Sequence, residues 1–245
     1  MHRFFAPDIE ATLQLPEEES AHAVRVLRMS EGDELEVVDG KGGLYLCRIT
    51  MAHSKHCAVE IVGSEHEVHH WGHRIVLAVA PTKNLDRMEW LAEKVTEMGI
   101  DRIIPLRCRY SERKELKTAR LQKILVSAMK QSLKATLPQL DEMTPVMEVI
   151  RAPFEGRRYI AYCDKTIPRR LFAQELVCDS DVMIMIGPEG DFSTEEIEAA
   201  LAAGFEPISL GDSRLRTETA AMFAVATVHA LRQQRTGNDS HSIEG

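Results

Sequence analysis

Between residues 74 and 233 the chain alternates short apolar runs with longer stretches in which apolar residues return every three or four positions. The runs RIVLAVA (74–80), RIIPLRC (102–108), YIAYC (159–163), DVMIMIG (181–187) and PISLG (207–211) read as strands buried on both faces. The periodic stretches predict helices over 85–98, about 117–134, near 168–177, 194–203 and 217–233. Strands alternating with helices predict an α/β domain with a mainly parallel sheet.

The first seventy residues carry a different pattern. LEVV (35–38), LYLCRIT (44–50) and CAVEIV (57–62) are short β-rich runs, the first two joined by a glycine-rich turn from Asp39 to Gly43, and they predict a small β domain. A helix is expected from Ser20, as its cap, to Met29. The polar, aperiodic stretch 63–73 reads as a linker. This divides the chain into a β domain over 1–70, an α/β domain over 74–235 and a polar tail over 236–245 expected to be disordered.

Composition narrows the class. The 245 residues are 44% hydrophobic, enough for a real core, and no run is long and apolar enough for a membrane span. A cytoplasmic location is expected. Cys47, Cys57, Cys108, Cys163 and Cys178 show no C-x-x-C spacing and predict reduced thiols, neither a disulfide framework nor a zinc site. His66, His69, His70 and His73 are placed in the solvated linker, and no metal is assigned.

Charge modifies the picture locally. The net charge of −8 speaks against indiscriminate nucleic-acid binding, and residues 1–70 alone carry −7. Residues 101–134 reverse the sign at +7, with Arg113, Arg120, Lys123 and Lys134 among ten cations. That stripe predicts contacts to an RNA backbone. In the first domain His22, Arg25 and Arg28 fall at i, i+3 and i+6, which would put them on one helix face, with Arg3 a further candidate.

Candidate ligand chemistry lies late in the chain. The turn after the first α/β strand, Pro81 to Asn84, lacks the glycines of a dinucleotide fold. Glycines gather instead in Gly187-Pro188-Glu189-Gly190-Asp191 and after Leu210-Gly211, where the chain goes on to Arg214, Leu215, Arg216 and Glu218. Gly187 and Gly190 would let backbone approach a ligand closely, and an adenine ring suits glycine, aliphatic side chains and backbone hydrogen bonds. Each segment alone also reads as an ordinary turn.

Together the two segments resemble the C-terminal signature of the SPOUT methyltransferases. Across nearly the whole chain, including His22 to Arg28, Gly32-Asp33, Asp39-Gly40, Lys83 to Gly99, Gln131-Ser132, Pro138, Ile186 to Glu196 and Leu210 to Ala220, the sequence resembles the 16S rRNA (uracil-1498-N3)-methyltransferase family. The resemblance implies a SPOUT-type α/β sheet with a C-terminal deep trefoil knot, and a small PUA-like β-barrel domain at the N-terminus that binds RNA. It implies S-adenosyl-L-methionine as methyl donor, held by Tyr162, Cys163, Gly187, Pro188, Glu189, Gly190, Leu210, Gly211, Leu215 and Arg216. It also implies 16S rRNA of the small ribosomal subunit as partner, and a homodimer in which one subunit's N-terminal domain presents RNA to the other's donor.

Two departures stand out: Asp191 occupies a position where the family usually has glycine, and Lys134 one where it usually has arginine. Methyl transfer to uridine N3 needs positioning, a cation near the uracil oxygens and a base for the N3 proton. Arg216, Arg25 or Arg3 are candidates for the cation, and Glu189 or Glu218 for the base. The alternatives are a non-catalytic ribosome-binding or assembly factor, and a SPOUT enzyme acting on another RNA such as tRNA.

Overall fold

The computed structural model describes residues 1–163 and 168–241, with side chains to residue 235. It divides into one unit of Met1–His70 with Leu125–Leu137 and another of Trp71–Ile124 with Pro138–Gly245.

In the first unit β1 (Arg3–Phe5) pairs in parallel with β2 (Glu34–Val38), which runs antiparallel to β3 (Gly43–Met51), and β3 to β4 (Ala58–His66). Helices α1 (Ile9–Thr12) and α2 (Glu17–Ala21) precede β2. Alternate positions of β2 and β3, among them Leu35, Val37, Cys47 and Ile49, are buried with Phe4, Ile9 and Val59 in one core. β4 runs to His66, so part of the expected linker is strand. Its outer residues are polar because an edge strand can be held by the backbone ladder alone, which leaves no apolar signal to read. Glu67 then accepts from Ala135 N.

The helix expected from Ser20 starts earlier, at Glu17, and widens after Ala21 into a π-helical turn over His22–Val26. Ser20 is buried and is no cap. Its hydroxyl donates to Leu15 O and accepts from Cys57 N, stitching the helix to the strand region. With Leu27 N bonded to His22 O, five residues back, the i, i+3, i+6 spacing no longer places His22, Arg25 and Arg28 on one face. Arg28 follows the turn at φ +58°.

The second unit comprises β5 (Ile75–Val79), α3 (Leu85–Met98), β6 (Arg102–Arg107), the start of α4 (Thr118–Gln131), β7 (Gln139–Leu140), β8 (Thr144–Pro145), α5 (Val146–Arg151), β9 (Arg157–Ala161), β10 (Arg170–Leu171), α6 (Phe172–Glu175), β11 (Val182–Ile186), α7 (Thr194–Ala202), β12 (Glu206–Ser209) and α8 (Thr217–His241). The sheet order is β10-β12-β9-β11-β5-β6-β7, with β8 also on β6, and every pairing is parallel. The five strands read from the sequence form its centre. β5 and β11 are buried at every position, as apolar runs covered on both faces require. This is the mainly parallel α/β arrangement expected, joined to a small N-terminal β domain. Residues 187–193 and 210–216, the connections the resemblance ties into a knot, leave neighbouring regions of one sheet end, and Thr217 Oγ1 donates to Gly187 O there.

α8 continues to His241, past the end expected at 233 and into the tail expected to be disordered. The residues after Leu231 are polar but mostly compatible with a helix, and Arg235 pairs with Asp179. Residues 242–245 lie outside the described residues, as do 164–167. No helix among the described residues is long and apolar enough to cross a membrane.

Candidate functional site

Because the strands run parallel, the segments after β5, β6, β9, β11 and β12 all leave the same edge of the sheet. Tyr162 and Cys163 follow β9, Gly187 to Gly190 follow β11, and Leu210 and Gly211 follow β12. The expected donor residues are thus brought to one end, and the beginning of α8 carries Glu218 to it.

The loop after β11 is tightly built. A Cβ at Gly187 would lie 3.0 Å from the Phe192 ring, and one at Gly190 would lie 3.1 Å from Tyr110 Cβ. At both positions the absence of a Cβ lets neighbouring aromatic side chains pack close against the turn. Gly211 is different. It takes φ +108°, and nothing lies within 4 Å of the place its Cβ would occupy. Half-buried Leu210 and Leu215 flank the open space along the chain.

Where the family has glycine, Asp191 adopts φ +67° and uses both carboxylate oxygens, accepting from Cys163 N at 2.7 Å and Phe192 N at 2.9 Å. The Cys163 N–H is thereby spent. Helix α7 begins with a reciprocal cap, Ser193 Oγ accepting from Glu196 N while Glu196 Oε2 accepts from Ser193 N. Glu196 Oε1 also accepts from Arg109 N, which ties the segment after β6 to the same helix start. Exposed Glu195 is held below the usual carboxylate range by hydrogen bonding at the helix start, first to backbone and then to Ser193, with Arg109 adding charge. Burial pushes the Cys108 thiol up to about 12, with the Glu196 charge acting in the same direction.

The two candidate bases differ. Glu189 is exposed, and its Oε1 accepts from Lys83 N at 3.1 Å. Glu218 is 7% exposed; its Oε1 lies 3.6 Å from Arg87 Nε, and its Oε2 is buried without a hydrogen-bond partner. Arg216 is exposed in the segment just before α8. Arg87 was invisible as a site residue in the sequence, since nothing in α3 marks it off from a surface cation.

The expected RNA contacts fare unevenly. Arg113 donates to the carbonyls of Thr82 and Lys83, bracing the turn after β5. Arg120 pairs with Glu89 at 2.6 Å yet remains largely exposed, and Lys123 is exposed. The charge of the stripe is offset by partners far away in sequence: Arg102 meets Asp141, Arg109 meets Glu195 and Lys130 meets Glu19. In the first unit, Lys134 is 7% exposed, which leaves little of it for the phosphate contact expected. Arg3 is likewise nearly buried and bonded to Glu36. His22, Arg25 and Arg28 are exposed, with Arg25 donating to Ser54 Oγ. Among the described residues no three His, Cys, Asp or Glu side chains gather as a metal site.

Comparison with known proteins matches residues 69–229 to an RNA methyltransferase domain family and residues 15–62 to an RNA methyltransferase PUA domain family. Ribosomal RNA small subunit methyltransferase E of Rickettsia conorii is 28% identical over 221 residues, 89% of this chain and 90% of that one. A structure described as a probable rRNA-methyltransferase of Porphyromonas gingivalis is 44% identical and superposes with a TM-score of 0.91, covering 96% of this chain and 100% of that one. The Neisseria gonorrhoeae ribosomal RNA small subunit methyltransferase E bound to S-adenosyl methionine is 26% identical with a TM-score of 0.82, covering 94% and 98%.

Proposed function

This chain belongs to the RNA methyltransferase family that includes ribosomal RNA small subunit methyltransferase E, and from that premise we propose that it methylates N3 of one uridine, U1498 by resemblance, in 16S rRNA. The donor proposed is S-adenosylmethionine, as in the bound Neisseria relative. The observation that carries the reading is the sheet end itself, to which the connections after β9, β11 and β12, the last two bearing glycines, are brought together with a buried carboxylate that has an unpartnered oxygen. Gly211, with nothing within 4 Å of its Cβ position and Leu210 and Leu215 near it in the chain, is where the adenosyl group is proposed to lie.

When bound, S-adenosylmethionine supplies a methyl group on a positively charged sulfur. The chain's own work is to hold uridine N3 in line with that methyl and to take the N3 proton. N3 is hidden in a base pair, so the target uridine is single-stranded or flipped out. Glu218 is the better base of the two, because its Oε2 has no partner, whereas Glu189 already accepts from Lys83 N. Arg216, exposed two residues before Glu218 in the chain, is the cation proposed to meet a uracil oxygen as negative charge builds there. His22, Arg25 and Arg28, with Arg120 and Lys123, are the proposed RNA contacts. A cytoplasmic homodimer is the proposed working form.

Mass mapping of 16S rRNA, after incubation of the protein with small ribosomal subunits and donor, tests the proposal. One added methyl on the target uridine is expected. Unmodified rRNA, together with no saturable donor binding in calorimetry, would instead identify an assembly factor.

A further inference from the structure

The peptide unit joining Tyr162 to Cys163 follows β9 and faces the loop after β11, and it is gripped on both edges. Its N–H donates to Asp191 Oδ2 at 2.7 Å. Its carbonyl accepts from Arg169 Nη1, and the same guanidinium lies over the Tyr162 ring, 5.6 Å from the centroid. In a trans peptide the N–H and C=O point in opposite directions, so an anion at one and a cation at the other polarise the unit in the same sense.

Asp191 holds this contact against a backbone preference. At φ +67° it sits in the left-handed region that most side chains avoid and that aspartate tolerates better than most. Its N–H donates to Pro188 O at 2.9 Å, and its second carboxylate oxygen accepts from Phe192 N. One residue thus closes the 187–191 turn and ties that turn to the end of β9.

We propose that Asp191 and Arg169 are positioning residues which clamp the Tyr162–Cys163 peptide and so fix the spacing between β9 and the glycine loop that receives the methyl donor. The inference rests on the donor reading above. It also assigns the backbone roles at this point: the single N–H of Cys163 is committed to Asp191, so any ligand contact to this peptide unit uses the remaining lone pair of the Tyr162 carbonyl.

Asp191→Gly and Asp191→Asn both accommodate the left-handed φ, so the turn survives in each, but only asparagine keeps an acceptor oxygen. Titration with S-adenosylmethionine should show donor affinity about tenfold weaker in Asp191→Gly, and within about threefold of the parent in Asp191→Asn, as loss and partial retention of a charge-assisted hydrogen bond require. Arg169→Ala should lose about tenfold as well. The double variant Asp191→Gly/Arg169→Ala should lose well under the roughly hundredfold of independent sites, because both residues act through one peptide. Amide exchange at Cys163, read without donor, should speed up in Asp191→Gly and less so in Asp191→Asn. Parental donor affinity in Asp191→Gly, or a fully additive double variant, overturns the clamp. A parent protein that takes up no donor while its Cys163 amide stays protected overturns the donor reading instead.

Discussion

Glu218 sits in the first turn of α8 with one oxygen facing Arg87 and the other vacant, while Glu189 stands exposed and engaged by Lys83 N. If Glu218 takes the N3 proton, Glu218→Gln keeps the shape and removes the base, and the single-turnover methylation rate should fall about a hundredfold with donor affinity unchanged. Arg87 stays partly solvated, so losing its partner should leave the fold intact, as thermal unfolding would verify. Glu189→Gln should keep the rate within about threefold of the parent. Equal losses in the two variants would refute the assignment. At this scale the sequence narrowed the choice to two carboxylates and stopped, because burial and partners decide between them. Arg87 comes from a helix more than a hundred residues upstream of Glu218, and no local pattern announces such a meeting. Asp191 was visible as a departure from glycine, but its grip on Cys163 depends on two connections meeting at one sheet end.

Among the elements, the five central strands were legible because strands buried on both faces must be apolar throughout, and that requirement leaves an unbroken mark. β1, α1, α5 and the π-helical turn were not. β1 is three residues long and gains its structure only by pairing with residues 36–38, while the π turn has no apolar period of its own. The stripe in and before α4 illustrates the opposite error, since counting charges along the chain overlooked Asp141, Glu195, Glu89 and Glu19, which reach its cations from outside the segment. A smaller RNA role follows than the raw +7 suggests. Replacing Arg120 and Lys123 together by Ala should flatten the log–log salt dependence of RNA binding by about one unit, not the roughly two of unencumbered contacts, because Arg120 already shares its charge with Glu89. Lys134→Ala, at a buried position, should leave the slope unchanged. Filter binding across a salt series measures both, and an unchanged slope in the Arg120/Lys123 variant would return the stripe to a solvated surface.

For the molecule as a whole, the question is what covers the outer side of α8. From Ala220 to Ala230 apolar residues occupy nearly the whole circumference of the helix, and the structure partitions that circumference. Ala221, Ala224, Val225 and Val228 are buried, whereas Phe223 is 47% exposed and Ala230 is exposed about two turns further along the same face. α3 and α8 run side by side in the same direction, with Arg87 near Glu218 at their starts and Gly99 O bonded to His229 Nε2 further along. Trp90 on α3, 41% exposed, therefore lies within about one turn of the level of Phe223. Two large rings exposed at one level of a helix pair, with small alanines beside them, form a surface that a second copy can cover by packing helix against helix. The proposed homodimer places its contact there. Light scattering at micromolar concentration should give twice the monomer mass, and Phe223→Glu should return the monomer mass by setting a charge where two rings must lose water. Phe223 is not part of the monomer core, so the variant should unfold at a temperature no lower than an Ala substitution there would give once both are dissociated. A parent that already scatters as a monomer ends the proposal, and a dimer that survives Phe223→Glu moves the interface away from this face.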